Sequence, residues 1–227
     1  NSATPLHNAA LITECGRLDP RAKELILLVK RWAKDRGLSH AAKGHLSPYA
    51  WTLLGIYFLQ VGCDEEPLLP PLEGFGASSG LMIRSGTPKP PSKWSPRPAA
   101  PGSRAPVGGL FKEFIRFYTW RFDWRNEAVS VRLGQRSPPD LSLPLHIILH
   151  EDGSKTEVGP SIEDPFEVSH NLGACMTAPS LARLHEELRR ADGLCTSGAS
   201  LTSLLEPWAP PEVSSAHGQE EAEEEDA

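Results

Sequence analysis

Ile162-Glu163-Asp164-Pro165-Phe166-Glu167-Val168-Ser169-His170-Asn171-Leu172-Gly173 is the stretch whose reading decides this chain. Asp164, Glu167 and His170 recur at intervals of three. Pro165 predicts a helical turn starting there, with Asp164 as its cap. One such turn places the three side chains along a single face. Two carboxylates that only accept then share a surface with an imidazole that donates or accepts. Such a trio can read the edge of a nucleobase or hold a metal. The same spacing also describes a capped turn with solvated acids. Spacing alone favours that plainer reading, because short motifs often match by chance.

Moving outward, Ser180 is the expected cap of a final helix to about Ala191. There Leu181, Leu184, Leu188 and Ala191 face inward, while Arg183, Glu186, Glu187, Arg189 and Arg190 face water. On the N-terminal side, residues 128–133 alternate like a half-buried strand, and 145–149 read as a second short strand with its turn at 151–154. Residues 109–123 form a helix with a wide aromatic and aliphatic face. Asp19-Pro20 opens a helix over 20–36, ended by Gly37. Its stripe is Ala22, Leu25, Val29, Trp32 and Ala33, and Lys30 and Lys34 lie four apart beside it. Two ammonium groups one turn apart repel unless an anion lies between them. Ser47-Pro48 opens a further helix to about Gly62, apolar nearly all round and so buried. Its N-terminus is an anion site, and Tyr49 at that end either stacks a base or belongs to the core, which periodicity does not separate. Residues 5–18 read as a short helix and connection, where Asn8 serves as a cap or as an amide that both donates and accepts.

These segments together resemble the terminal uridylyltransferases and cytoplasmic-type poly(A) polymerases, members of the polymerase-β-like nucleotidyltransferase superfamily. Glu163-Asp164-Pro165-Phe166-Glu167 with Ser169-His170-Asn171 resembles their C-terminal signature. Val29-Lys30-Arg31-Trp32-Ala33-Lys34, Gly44-His45-Leu46-Ser47-Pro48-Tyr49 and His7-Asn8-Ala9 resemble three further motifs. Residues 117–132, Phe-Tyr-x-x-x-Phe-Asp-Trp followed by Val-Ser-Val-Arg, resemble the PAP-associated segment. The resemblance implies that Asn8 meets the ribose 2′-hydroxyl, Lys30 and Lys34 grip the triphosphate, Ser47 and Tyr49 serve phosphate and base, and Asp164, Glu167 and His170 recognise the base. It implies that the histidine lies beside uracil and helps exclude adenine; adenylating relatives often lack it. Four departures stand out: Ala9 replaces a Thr, Pro48 a Ser, Ala174 an Arg, and His45 a Thr.

The resemblance further implies UTP as substrate, the RNA 3′ end as partner, and Mg²⁺ or Mn²⁺ held by three carboxylates on a preceding domain. No Gly-Ser followed by an Asp-x-Asp pair occurs here, so no catalytic or metal-binding residue is assigned to this chain, and the catalytic palm is expected to be absent. The fold class expected is mainly α with a small β element. A poly(A) polymerase of the same family, or a degenerate scaffold binding RNA or protein, are the alternatives. Pro48 and Ala174 lean toward the scaffold.

Composition sets the boundaries. Residues 1–73 form the helical central region, and 110–192 the PAP-associated region. Between them, residues 74–109 are rich in Gly, Pro, Ser and Ala and read as a disordered basic insertion. Residues 193–227 read as a tail, acidic and disordered over 220–226. Glu220, Glu221, Glu223, Glu224, Glu225 and Asp226 account for the whole of the net charge of −6, so the body is balanced. The 4 cysteines are scattered with no CxxC pair, which argues against zinc and for free thiols. No apolar run reaches bilayer length, so no membrane partner is expected. The location expected is cytoplasmic, with the nucleus or an organelle as alternatives. The chain opens on Asn1, as a piece of a longer protein would.

Overall fold

The computed structural model describes residues 4–72, 105–136, 141, 143–149, 153 and 156–209. The basic insertion up to residue 104 and the acidic run lie outside the described residues, as does most of the turn expected at 151–154.

The three N-terminal helices are α1 (Thr4–Leu18), α2 (Pro20–Asp35) and α3 (Pro48–Val61), with α2 packed against both others. Asp19 caps α2 by accepting from the Arg21 N–H at 2.9 Å, and Pro20 occupies the first turn, where a missing N–H costs nothing. Ala22, Leu25, Ile26, Val29, Trp32 and Ala33 are buried, which is the expected stripe with Ile26 added. Ser47 caps α3, and every residue from Tyr49 to Gln60 is buried. This helix is the axis of the core. Trp32 and Phe111 pack edge to face, and Tyr57, Phe58, Phe114, Phe117, Tyr118 and Phe122 continue the aromatic cluster around it.

The second half departs from the expected elements in five places. First, the helix expected over 109–123 is α4 (Val107–Arg116) followed by a π-helical turn, Phe117–Arg121. Second, the strand expected over 128–133 shrinks to β1 (Ala128–Val129), because Gly134 turns the chain at positive φ and Ser130 accepts from the Leu133 N–H. Third, the strand expected over 145–149 is present as β2 (Ile147–Leu149), and it gains an antiparallel partner not expected from sequence, β3 (Thr156–Val158), in a small separate sheet. Fourth, the decisive stretch is a hairpin rather than a helical turn. β4 (Ser161–Asp164) runs parallel to β1 and antiparallel to β5 (Glu167–Asn171). Asp followed by Pro opens a β-turn as readily as a helix, and pairing of β4 with β1 settles the choice. Fifth, α5 (Ala178–Thr196) starts earlier and ends later than expected. Thr177 is its cap, and Ser180 is its reciprocal partner three residues in.

The chain beyond residue 192 is also structured in part. α5 continues to Thr196, and α6 (Leu201–Leu204) follows. Residues 204–208 then strap across the C-terminal end of α2. Arg36 donates to the Glu206 carbonyl, and the Trp208 N–H donates to the Asp35 carbonyl at 2.8 Å. Gly37 has φ +69, and a Cβ there would lie 2.7 Å from the Trp208 ring. Glu187, expected in water, is fully buried among Arg36, Arg183 and Arg190. All four cysteines are free.

Candidate nucleotide-recognition site

The hairpin reverses at Pro165-Phe166 and brings its acids to the N-terminal end of α3. Tyr49 Oη donates to Asp164 Oδ1 at 3.2 Å, and the Phe166 N–H donates to the same oxygen at 3.0 Å. Asp164 is thereby nearly enclosed, 8% exposed. Burial first, and then the charge of Asp164, push the Tyr49 phenol far above its ordinary value. Tyr49 therefore stays protonated and acts as a donor to the carboxylate. Only 5% of it is exposed, so the structure shows it as a buried support for Asp164.

Asp164, Glu167 and His170 do converge, but through strand pairing. Asp164 and Glu167 are cross-strand partners beside a register irregularity at Glu163/Asp164. His170 Nδ1 stands 3.9 Å from Asp164 Oδ2 and 4.0 Å from Glu167 Oε2. Both distances exceed a hydrogen bond. With half of its side chain exposed, the imidazole keeps its donor and acceptor capacity for a ligand.

α1 contributes the adjoining wall. The His7 ring stacks on Phe166 with centroids 3.9 Å apart and planes 22° off parallel. One residue on, Asn8 Oδ1 accepts from Thr52 Oγ1 at 2.7 Å. Ser47 Oγ accepts from the Ala50 N–H at 3.1 Å and is engaged as the helix cap. Lys30 and Lys34 stand apart on α2. No hydrogen bond or ion pair joins either to the other site residues, nor to any carboxylate among the described residues. Lys30 is half-buried, and burial lowers its pKa from the ordinary lysine value; Lys34 is exposed.

Behind the hairpin, Glu163 is 2% exposed and accepts from Ser130 Oγ at 2.5 Å and Arg132 Nη2 at 2.8 Å. This fixes β4 to the loop after β1 and thus the height of Asp164. Asn171 Oδ1 accepts from the Ile162 and Gly173 amides and closes the far end. Among the described residues, no group of three or more His, Cys, Asp or Glu side chains is arranged to hold a metal ion. No helix among them is long and apolar enough to cross a membrane. A separate cavity of about 620 Å³, lined by Trp120, Trp124, Val158 and His185 among others, contains none of the site residues expected from sequence.

Of the site residues expected from sequence, the fold gathers Asn8, Tyr49, Asp164, Glu167 and His170 around one end of α3. Sequence reasoning passed over His7, Phe166 and Thr52. The signal available for Thr52 was a hydroxyl three residues after Tyr49 in an otherwise apolar helix. Nothing local marked the His7–Phe166 stack.

Residues 106–170 match the family described as Cid1 family poly A polymerase. Terminal uridylyltransferase cid1 of Schizosaccharomyces pombe is 28% identical over 87% of this chain and 49% of its own length. The human speckle targeted PIP5K1A-regulated poly(A) polymerase is 31% identical over 93% of this chain and 25% of its own. The solved structure of Cid1 in complex with the UTP analogue UMPNPP superposes with a TM-score of 0.63 at 26% identity, covering 92% of this chain and 65% of that one. The chain therefore spans about half or less of the length of these curated relatives. A helical core that presents a β-hairpin to a helix N-terminus defines the class, an α+β fold shared with the Cid1 nucleotidyltransferases. The chain belongs to the terminal uridylyltransferase and cytoplasmic-type poly(A) polymerase family of RNA nucleotidyltransferases, whose central region it covers.

Proposed function

We propose that this chain is the nucleotide-recognition half of an RNA 3′-terminal uridylyltransferase, which adds UMP from UTP to RNA 3′ ends. The observation that carries the reading is the Tyr49–Asp164–His170 cluster. Asp164 is buried and oriented by the Tyr49 hydroxyl, with Oδ2 facing His170. A uracil N3–H is a donor that this carboxylate can accept, directly or through water, and a uracil carbonyl is an acceptor for the imidazole. Adenine has no N–H at the equivalent ring nitrogen, and its second ring competes with His170 for space. His170 is thus the reason to prefer uridylyl over adenylyl transfer in a family that contains both.

The remaining residues complete the nucleotide. Asn8 meets the ribose, and Lys30 and Lys34 supply two uncompensated cations for the triphosphate, joined by the N-terminus of α3. Ser47, engaged as a cap, serves by fixing that N-terminus. Glu167, exposed at the hairpin 4.0 Å from His170 Nδ1, places a second carboxylate beside the imidazole at the base edge. Among the described residues no cluster of carboxylates fits a metal ion, and Mg²⁺ or Mn²⁺ is assigned to catalytic carboxylates outside this chain. The chain alone is accordingly proposed to transfer no nucleotide. The cytoplasm is the proposed location.

The test uses the polypeptide that carries the catalytic carboxylates together with this chain, with the chain alone as negative control. His170→Ala should lower the UTP/ATP ratio of kcat/KM by about ten- to hundredfold, the worth of one buried hydrogen bond of about 1–3 kcal/mol. An unchanged ratio, with both activities falling together, would show that His170 only shapes the hairpin.

A further inference from the structure

α3 is apolar almost throughout, yet two polar side chains inside it are buried, Thr52 and Gln60. Gln60 explains itself, since its amide donates to the carbonyls of Pro70 and Val131 and ties the helix to the loop after β1. Thr52 does not serve the core in that way. Its side chain is wholly buried, with Oγ1 2.7 Å from Asn8 Oδ1 and 3.2 Å from the Pro48 carbonyl one turn back. Valine has the same shape and a closely similar helix propensity, without a hydroxyl to desolvate. What the hydroxyl adds at this position is the longer back-bond to the Pro48 carbonyl and, at the shorter distance, the contact with Asn8.

A separation of 2.7 Å is typical of O–H···O and short for N–H···O. The Asn8 carbonyl therefore faces Thr52, and its NH₂ faces the other way. Among the described residues that NH₂ has no partner. Thr52 lies three residues from Tyr49, on the same side of the helix, so the free donors of Asn8 stand beside the helix end that carries the Tyr49–Asp164 pair.

We infer that Thr52 is a positioning residue for sugar discrimination: by occupying the Asn8 carbonyl it aims the Asn8 NH₂ at the 2′-oxygen of the nucleotide. This rests on the proposed reading that Asn8 meets the ribose. An unrestrained amide can turn either face to the sugar, and with its oxygen held it offers donors only. A ribonucleotide supplies the acceptor. A 2′-deoxynucleotide leaves a desolvated N–H unpaired.

The experiment measures kcat/KM for UTP and dUTP, and for ATP and dATP, in the polypeptide that carries the catalytic carboxylates with this chain. Thr52→Val should lower the ribo/deoxyribo ratio about tenfold. The loss should fall on the ribonucleotide and leave the deoxynucleotide nearly unchanged, and Thr52→Ser should restore the ratio. If Thr52→Val lowers the thermal midpoint, Thr52→Ala must show the same loss of ratio. Equal falls for ribo- and deoxynucleotides, or no recovery with serine, would overturn the inference and leave Thr52 a packing residue. Asn8→Ala separates the two layers. If it leaves the ratio unchanged, the ribose reading itself fails, whatever Thr52 does. If Asn8→Ala lowers the ratio and Thr52→Val does not, the reading stands and the positioning role falls.

Discussion

Lys30 is the residue where cost and function meet most directly. A half-buried ammonium without a carboxylate partner loses hydration and gains nothing in return, and its pKa is lowered accordingly. The sign follows from linkage. The unfolded chain binds the proton more tightly than the folded one, so this group's contribution to stability improves as pH rises through the lowered value toward the ordinary 10.5. A triphosphate bound there, as proposed, would reverse the shift by supplying the missing negative charge. Nucleotide binding at a pH between the lowered value and the ordinary lysine value should then take up protons. Calorimetry in buffers of different ionisation enthalpy would detect that uptake, and Lys30→Met should abolish it. Uptake that persists in the variant would assign the proton to another group.

At the scale of elements, the hairpin is the feature on which the proposed base recognition depends, and Gly173, in the turn that follows it, is a tight point in its support. A Cβ at that position would sit 1.9 Å from the Pro160 carbonyl oxygen, a backbone atom that cannot swing aside. Gly173→Ala should cost about 2–3 kcal/mol, as overpacking does at its upper end, and should shift the urea midpoint accordingly. A neutral result would mean that Pro160 is free to retreat. The sequence made the residues of this element legible but hid its form. Asp164-Pro165 signals a chain reversal whether the reversal is a helical turn or a β-turn. What decided the outcome were β1, two residues long, and the buried Glu163 held by Ser130 and Arg132, more than thirty positions away. No local pattern encodes such a partner. The helices were legible because they announce themselves: Asp19-Pro20 and Ser47-Pro48 start α2 and α3 where expected, and the apolar stripe of α2 is the buried one. The π-turn after Arg116 and the early start of α5 at Ala178 were not, since both depend on what packs against them.

Across the whole molecule, Glu187 ties together the parts that the sequence separates most widely. Its carboxylate meets Arg36 Nε at 3.0 Å, Arg183 Nη2 at 3.2 Å and Arg190 Nη2 at 2.7 Å. Arg183 also lies against the Trp208 ring at 4.8 Å, and Arg190 reaches the carbonyls of Ser203 and Leu204. Helix periodicity placed Glu187 in water because i, i+3 and i, i+4 neighbours on α5 are charged. The strap formed by residues 204–208 covers that face instead. Glu187→Ala should destabilise the chain by about 3–5 kcal/mol in a denaturant titration, the cost of leaving buried guanidinium groups unpaired. A loss below about 1 kcal/mol would mean that water reaches the cluster and substitutes for the acid.

The contrast between that covered cluster and the bare lysines of α2 gives the molecule two electrostatic regimes. Mobile ions weaken interactions between exposed charges over roughly 8 Å at physiological concentration, and affect buried pairs far less. Around Lys34, open to solvent, added salt competes directly with a nucleotide's phosphates. Around Glu187, with none of its surface accessible, it finds little to screen. Rising ionic strength should therefore release the ligand long before it loosens the fold, and a weakening of activity with salt would report on binding rather than on integrity.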